Sequence, residues 1–90
     1  MDYLHSEFDL SSDDVLEVTL GGNAANVQLL DSTNFQNYRH GRAFRYYGGY
    51  VTQSPFRIRA PHAGHWHLVI DLGGNAGKVG ASVRVLQGST

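Results

Sequence analysis

The chain has 90 residues, a net charge of −1, 41% hydrophobic residues and 17% charged residues, values typical of one small globular domain. It contains no cysteine, which excludes disulfide bonds, thiolate metal sites and cysteine nucleophiles. No apolar run approaches the roughly 20 residues of a membrane-spanning helix, and the first residues lack the basic and apolar segments of a signal peptide. We therefore expect one domain, 1–90, that is not attached to a membrane and lies in the cytoplasm.

The first 30 residues predict three strands. Hydrophobic and polar residues alternate over 15–20 and, apart from Ser6, over 3–10. A period of two places alternate side chains on one face of a strand. A shorter strand is predicted over 26–30. A tight turn is expected at 21–23, because Gly and Asn accept positive φ angles.

The stretch after the third strand predicts a short helix or a structured loop. Asp31 or Ser32 is a suitable N-cap, and Phe35 and Tyr38 are spaced to lie on one side of a helix. Gly41 is a favoured C-terminal stop.

Three short strands follow the predicted helix. They cover 42–47, 50–52 and 56–60. Gly48 and Gly49 are expected to interrupt the pairing between the first two, since glycine in a strand often marks a bulge or break.

The strand predicted over 64–72 is the most apolar in the chain and contains its only tryptophan, so we expect it to be central. Its period of two separates two faces. One face carries Trp66, Leu68, Ile70 and Leu72, and the other carries His65, His67, Val69 and Asp71. A turn over 73–77 and a last strand over 79–85 complete the chain.

About eight short strands and one helical stretch predict an all-β fold. Turn signals at intervals of about 8–12 residues are typical of an antiparallel β-sandwich, here jelly-roll-like, with an up-and-down barrel as the alternative. The predicted core consists of Leu16, Val18, Leu20, Phe44, Phe56, Ile58, Trp66, Leu68, Ile70, Val83 and Val85.

Charge is segregated along the chain. Residues 1–31 contain seven acids and no Lys or Arg, whereas residues 32–70 contain five arginines and no acid. One interpretation is that acidic and basic strands pair within a sheet. The other is that the acidic N-terminal third and the basic middle of different copies attract each other, which would produce a homo-oligomer.

Histidines cluster before and within the predicted central strand. His65 and His67, two residues apart, present both imidazoles on one face and could chelate zinc or nickel. His62 or Asp71 would be the third ligand. A metal-binding protein or metal-dependent enzyme built on His62, His65 and His67 is therefore the alternative function. The other interpretation is that these are surface histidines beside a core strand.

The segment from Asn34 to Tyr50 interleaves arginines with aromatic residues. Arginine binds phosphate or carboxylate groups bidentately, and tyrosine rings stack on bases or sugars. We therefore predict a ligand-binding surface formed by Asn34, Tyr38, Arg39, Arg42, Arg45, Tyr47 and Tyr50.

The expected function is a non-catalytic binding or interaction module. Its ligand would be a small anion, either a nucleotide or a sugar, or else an acidic patch on a protein partner. Long duplex nucleic acid is not expected, because the slightly acidic chain would repel a polyanion. Neither a nucleophile elbow nor a phosphate-binding loop is present, so no catalytic residue, cofactor or resident metal is assigned.

An ordered set of motifs resembles a bacterial family of domains of unknown function, DUF1883. The motifs are Asn34-Phe35-Gln36-Asn37-Tyr38-Arg39-His40-Gly41-Arg42, Tyr46-Tyr47-Gly48-Gly49, Ser54-Pro55, Gly64-His65-Trp66, Asp71-Leu72-Gly73-Gly74 and Ala81-Ser82-Val83-Arg84-Val85-Leu86. The resemblance covers nearly the whole chain. It implies a small bacterial protein that occurs alone or joined to a TIR signalling domain, and hence a role in recognition or assembly. It implies no established activity.

Overall fold

The computed structural model describes residues 3–22, 24–72 and 79–87. Within these ranges the chain forms seven strands and one helix. The strands are β1 (Tyr3–Leu10), β2 (Val15–Gly22), β3 (Ala25–Leu30), β4 (Tyr47–Val51), β5 (Phe56–Arg59), β6 (Gly64–Asp71) and β7 (Val79–Leu86), and the helix is α1 (Ser32–Arg39). Sheet A has the strand order β1-β6-β3-β4 and sheet B the order β5-β2-β7, with every pairing antiparallel. The predicted turn over 73–77 and Asn23 lie outside the described residues.

The two sheets enclose one main hydrophobic core. The prediction of an antiparallel β-sandwich is confirmed, since the strands divide into two separate sheets and do not close into one barrel. Side chains with at most 2% of their surface exposed fill the core from both sheets: Leu16, Val18, Val27, Leu29, Trp66, Leu68 and Ile70. Full burial of each such side chain stabilises the fold by roughly 1.5–3 kcal/mol.

Strand β6 is buried on both faces, because α1 covers the side of sheet A that faces away from sheet B. Val69, Leu30 and Phe35 form a second buried cluster between sheet A and the helix. The predicted alternation along β6 is confirmed: Trp66 points into the main core, whereas Val69 points towards α1. The central position of this strand is also confirmed, since β6 lies between β1 and β3.

Both ends of α1 are fixed by local contacts that the sequence predicted. Asp31 is the N-cap, and its Oδ1 accepts a hydrogen bond of 2.8 Å from the backbone N–H of Asn34. At the other end Gly41 has a φ of 70°, and the N–H groups of Gly41 and Arg42 donate to carbonyls of the last turn. This is the Schellman arrangement that glycine favours at a helix end.

The strand predicted over 42–47 is wrong. Residues 42–46 are irregular, and β4 instead begins at Tyr47 and continues through Gly48 and Gly49, which were expected to interrupt it. Gly48 has a φ of 128°, and a Cβ there would collide with the carbonyl oxygen of Val27 on β3. Glycine therefore allows the close approach of the two backbones, which explains why the pairing continues here.

Two predicted core residues lie outside the main core. Phe44 packs against the second cluster, next to α1, because residues 42–46 cross the helix-facing side of sheet A. Val85 is 38% exposed, because β7 is an edge strand of the smaller sheet. Partly buried side chains from the rest of the predicted core pack against the main cluster: Leu20, Phe56, Ile58 and Val83.

The outer face of sheet B carries an ion-pair network. Glu17 on the middle strand accepts hydrogen bonds from Arg57 at 2.9 Å and from Arg84 at 2.6 Å. Since Glu17 lies directly opposite both arginines in the register, acidic and basic strands do pair at this point of the sheet. The hydrogen bond from Arg84, followed by that from Arg57, holds the pKa of Glu17 below its usual value.

Among the described residues, no helix is long and apolar enough to cross a lipid bilayer.

Candidate functional site

The pairing of β1 with β6 brings acids and histidines from distant parts of the chain together. Glu7 lies opposite His67, and Asp9 lies opposite His65. His5 precedes Glu7 by two residues and therefore shares its face of β1. These five residues face away from sheet B, because the apolar even-numbered side chains of both strands point into the main core. We refer to His5, Glu7, Asp9, His65 and His67 as the histidine cluster.

His67 occupies the centre of the cluster and is 7% exposed. Its Nδ1 lies 2.9 Å from Nε2 of His5, and its Nε2 lies 3.1 Å from Oγ of Ser32. The Phe35 ring of α1 stacks on both imidazoles, with ring centroids 4.1 Å from His5 and 4.4 Å from His67. Burial lowers the pKa of His67, which favours the neutral imidazole.

His65 links the two carboxylates of β1. Its Nε2 lies 2.8 Å from Oε1 of Glu7, and its Nδ1 lies 2.8 Å from Oδ1 of Asp9. The hydrogen bond to Glu7, followed by that to Asp9, raises the pKa of His65. The same contact with His65 lowers the pKa of Glu7. The pair is therefore stabilised in its charged form.

The structure does not bring the predicted metal trio His62, His65 and His67 together. The ring of His62 lies 4.9 Å from that of Trp66, and its Nδ1 lies 3.0 Å from the carbonyl oxygen of its neighbour Ala63. Trp66 points into the main core, away from the face that carries His65 and His67. A different set of three residues does converge and shares only His67 with that trio: ligand atoms of His5, Glu7 and His67 lie within 4.8 Å of one another.

Sequence reasoning missed His5 and Glu7 because they come from a strand about 60 residues away from β6. Their partner is fixed by the pairing register, which periodicity along one strand does not reveal. A usable signal was present, since His5 and Glu7 share one face of β1 and His65 and His67 share one face of β6.

Two residues of the predicted ligand surface have structural contacts. The hydroxyl of Tyr38 donates to Oδ2 of Asp71 at 2.7 Å. Burial, together with this carboxylate, raises the pKa of Tyr38 well above its usual value. Asn34 accepts a 2.8 Å hydrogen bond from the backbone N–H of Arg45 and donates to Asp31 at 3.0 Å. Both side chains thus connect α1 to its surroundings.

The remaining predicted ligand residues occupy two faces. The guanidinium of Arg39 lies 5.8 Å from the centre of the Phe35 ring. Arg42 and Arg45 are exposed, and neither forms an ion pair with an acid in the described part of the chain. Tyr50 is 64% exposed and lies on the helix-facing side, opposite Asn26.

Tyr47, by contrast, lies opposite Leu29 and therefore faces the sandwich side of β4. Its ring contacts Trp66 at 6.0 Å, and half of the residue remains exposed. Tyr46 is 45% exposed, and its ring lies 5.7 Å from that of Phe44 at an angle of 43°. We refer to Arg42, Arg45, Tyr46 and Tyr50 as the arginine–tyrosine surface.

A buried acceptor lies next to this surface. Gln28 on β3 is 8% exposed, and its Oε1 has no hydrogen-bond partner among the residues that the structure describes. It lies opposite Gly48, which makes Tyr50 its diagonal neighbour on the helix-facing side. Buried polar atoms are nearly always paired in native proteins, so this oxygen is suited to accept a hydrogen bond from an added group.

Comparison with known proteins identifies the family of the chain. No curated protein and no solved structure matches it. The family model for a domain of unknown function, DUF1883, matches residues 1–89, which is nearly the entire chain. The protein therefore belongs to the DUF1883 family.

Proposed function

We propose that the protein is a non-catalytic binding module that recognises a small anionic ligand, a nucleotide or a sugar phosphate, through the arginine–tyrosine surface. The observation that carries this proposal is the presence of two exposed arginines, Arg42 and Arg45, beside exposed tyrosine rings and without an acidic partner among the described residues. Guanidinium groups left unpaired in this way are available for bidentate contacts with phosphate.

The contrast with sheet B supports this choice of surface. There Glu17 forms ion pairs with both Arg57 and Arg84, so those two arginines already contact a carboxylate. Near α1, Asn34 accepts a hydrogen bond from the backbone N–H of Arg45. This contact holds the loop in place and leaves the guanidinium of Arg45 available. Tyr46 and Tyr50 would stack on a base or sugar ring. Arg39, from the wider predicted set, would flank the ligand, whereas Tyr47 lies on the other face of β4 and would not contact it.

The setting we propose is a bacterial cytoplasmic signalling assembly, in line with the resemblance to domains that accompany TIR domains. An acidic patch on a protein partner is the competing ligand, because carboxylates satisfy arginine as phosphates do.

A thermal-shift screen tests the proposal. Wild-type protein and an Arg42→Ala/Arg45→Ala variant are heated with each member of a panel of nucleotides and sugar phosphates. At about 100 times the dissociation constant a ligand adds about 2.7 kcal/mol of stability, which raises the melting temperature of a small domain by many degrees. We expect at least one such shift in the wild type and its loss in the double variant.

Arg59→Ala provides the matched control. Arg59 is also exposed and also lacks an acidic partner in the described ranges, but it lies on β5, in the other sheet. The control should retain the wild-type shift. Equal shifts in all three proteins would place the ligand elsewhere. The absence of a shift with every compound would contradict a small-ligand function and favour an acidic protein partner.

A further inference from the structure

We propose that His5, Glu7 and His67 form a binding site for one divalent transition-metal ion of the zinc type. One ligand atom from each of these three residues lies within 4.8 Å of the other two, and Nδ1 of His67 faces both Nε2 of His5 and Oε1 of Glu7. Two imidazole nitrogens and one carboxylate oxygen are a donor set that zinc commonly uses. The site is distinct from the arginine–tyrosine surface and does not depend on it.

The distances between the donor atoms suit a metal ion with small adjustments. Zinc–ligand bonds of about 2.0–2.2 Å at tetrahedral angles place the donor atoms about 3.4 Å apart. The separation of the two histidine nitrogens is 2.9 Å, and Nδ1 of His67 lies 3.8 Å from Oε1 of Glu7. These values lie on either side of the ideal one, so rotations of the exposed His5 and Glu7 side chains suffice to reach it.

The hydrogen bond to Ser32 prepares His67 for this role. When Oγ of Ser32 accepts the proton of Nε2 over the 3.1 Å contact, Nδ1 carries the lone pair that faces His5. Metal-binding histidines typically donate their second N–H in this way. In the free protein His5 then donates its Nε2–H to His67. When a metal ion binds, that proton moves to Nδ1 of His5, so both facing nitrogens offer lone pairs to the ion.

Phe35 restrains the two imidazoles from above. Its ring is nearly parallel to both, with interplanar angles of 19° to His5 and 7° to His67. Stacking of this kind covers the ring faces and leaves the in-plane nitrogen lone pairs accessible. Because the rings are already oriented, metal binding loses little side-chain entropy.

The surrounding charges also favour a cation, because the two carboxylates of Glu7 and Asp9 outweigh the single protonated imidazole of His65. Glu7 supplies a carboxylate ligand, and Asp9 places a second carboxylate beside it through the shared contact with His65. His65 holds the carboxylate of Glu7 at 2.8 Å from its Nε2 and therefore acts as a positioning residue. Water would complete the coordination of the ion.

Calorimetric titration with Zn²⁺ tests the proposal on untagged protein that has been freed of metal with a chelator. We expect one ion per chain in the wild type. Loss of an outer contact to a metal ligand weakens affinity by about 10–100-fold, so loss of a ligand itself should weaken it by at least about 100-fold. His5→Ala and Glu7→Gln are the main variants, because both positions are exposed and the substitutions should leave the fold intact. Circular dichroism verifies this.

Two controls separate this site from other histidines and from the proposed ligand surface. His62→Ala removes a histidine next to Trp66, and Arg42→Ala/Arg45→Ala removes the exposed arginines. Both proteins should bind Zn²⁺ as the wild type does. Co²⁺ gives an independent readout, since a site with two nitrogen ligands and tetrahedral geometry produces visible absorption bands that His5→Ala should abolish.

The proposal is overturned if folded His5→Ala and Glu7→Gln proteins bind Zn²⁺ with wild-type affinity. It is equally overturned if the wild type binds less than one ion per chain or if His62→Ala weakens binding to the same degree. Loss of ligand binding in the arginine variant with Zn²⁺ binding intact would confirm that the two sites are independent.

Discussion

His67 contacts residues from two other elements through a single imidazole. It meets His5 of β1, Ser32 of α1 and the ring of Phe35. These contacts explain how a polar side chain is tolerated with only 7% of its surface exposed, since buried polar groups are stable when hydrogen-bonded. The pKa of His67 is lower in the folded protein than in the unfolded chain. At low pH the unfolded chain therefore binds a proton at His67 more readily, which favours unfolding.

The Glu7–His65 pair, in contrast to His67, stabilises the folded protein over a defined pH range. The folded-state pKa of Glu7 is lowered, so its contribution to stability is complete above about 4.5 and is lost as the pH falls. The folded-state pKa of His65 is raised, so its contribution is complete below about 6.5 and is lost as the pH rises above that value. The pair should therefore stabilise the fold most between these two values.

Chemical denaturation of wild type and His65→Gln between pH 3 and 9, with chelator present, checks this expectation. The difference in the free energy of unfolding should peak between about pH 4.5 and 6.5 and shrink on both sides. His62→Gln should give a difference without that peak, because His62 forms no carboxylate contact within the described ranges. A His65→Gln difference that stays constant with pH would refute the assigned pair.

At the scale of single elements, β4 depends on one glycine. Gly48→Ala would place a Cβ against the carbonyl oxygen of Val27 in a backbone region that is almost restricted to glycine. We expect a loss of about 1–3 kcal/mol in the free energy of unfolding, or more if β4 separates from β3. Gly49→Ala is the matched control, since nothing lies within 4 Å of a Cβ there, and its effect should stay within about 0.5 kcal/mol. Equal losses in urea denaturation would show that Gly48 is not special.

The regular elements were largely predictable because their signals are local. The alternation in β6 follows from the pleat of a strand, and the ends of α1 follow from the capping preferences of Asp31 and Gly41. The strand expected over 42–47 illustrates the limit. Phe44 and Tyr46 alternate with Arg45 and Tyr47 as strand residues do, but Phe44 packs beside Tyr38 of the helix. Periodicity identifies residues that share a face and leaves open what that face contacts.

The candidate sites were predictable only in part for the same reason. The exposure of Arg42 and Arg45 agrees with the composition of their segment, but the use of Asn34 and Tyr38 in structural hydrogen bonds depends on tertiary contacts. The facing imidazoles of His5 and His67 depend on how β1 and β6 align. A shift of that register by one residue would turn His5 to the opposite face.

At the scale of the whole molecule, folding cancels much of the charge segregation seen along the sequence. Glu17 is neutralised by Arg57 and Arg84, and the carboxylates of Glu7 and Asp9 both contact His65. The acidic N-terminal third is therefore less acidic in the folded protein than its composition indicates. The positive charge of α1 and the following loop is not cancelled in this way, since Arg42 and Arg45 form no ion pair with an acid in the described part of the chain.

Self-association driven by the remaining charge contrast should be weak and sensitive to salt. We expect the weight-average sedimentation coefficient to rise with protein concentration at 0.1 M NaCl and to stop rising at 1 M NaCl, because the Debye length falls from about 10 Å to about 3 Å. Arg42→Ala/Arg45→Ala should weaken the effect at low salt. A sedimentation coefficient independent of concentration at both salt levels would rule out such an oligomer.

The strand pairing also determines when each part of the fold can form. His5 and His67 meet across β1 and β6 although they are 62 residues apart, and the Glu17–Arg57 contact between β2 and β5 spans 40 residues. During synthesis β1 and β2 leave the ribosome long before these partners exist. Closing such distant contacts costs chain entropy in advance, which slows folding for a domain of this size. Until β5 and β6 emerge, the first two strands remain exposed β segments, the stage at which a nascent chain is most prone to aggregate.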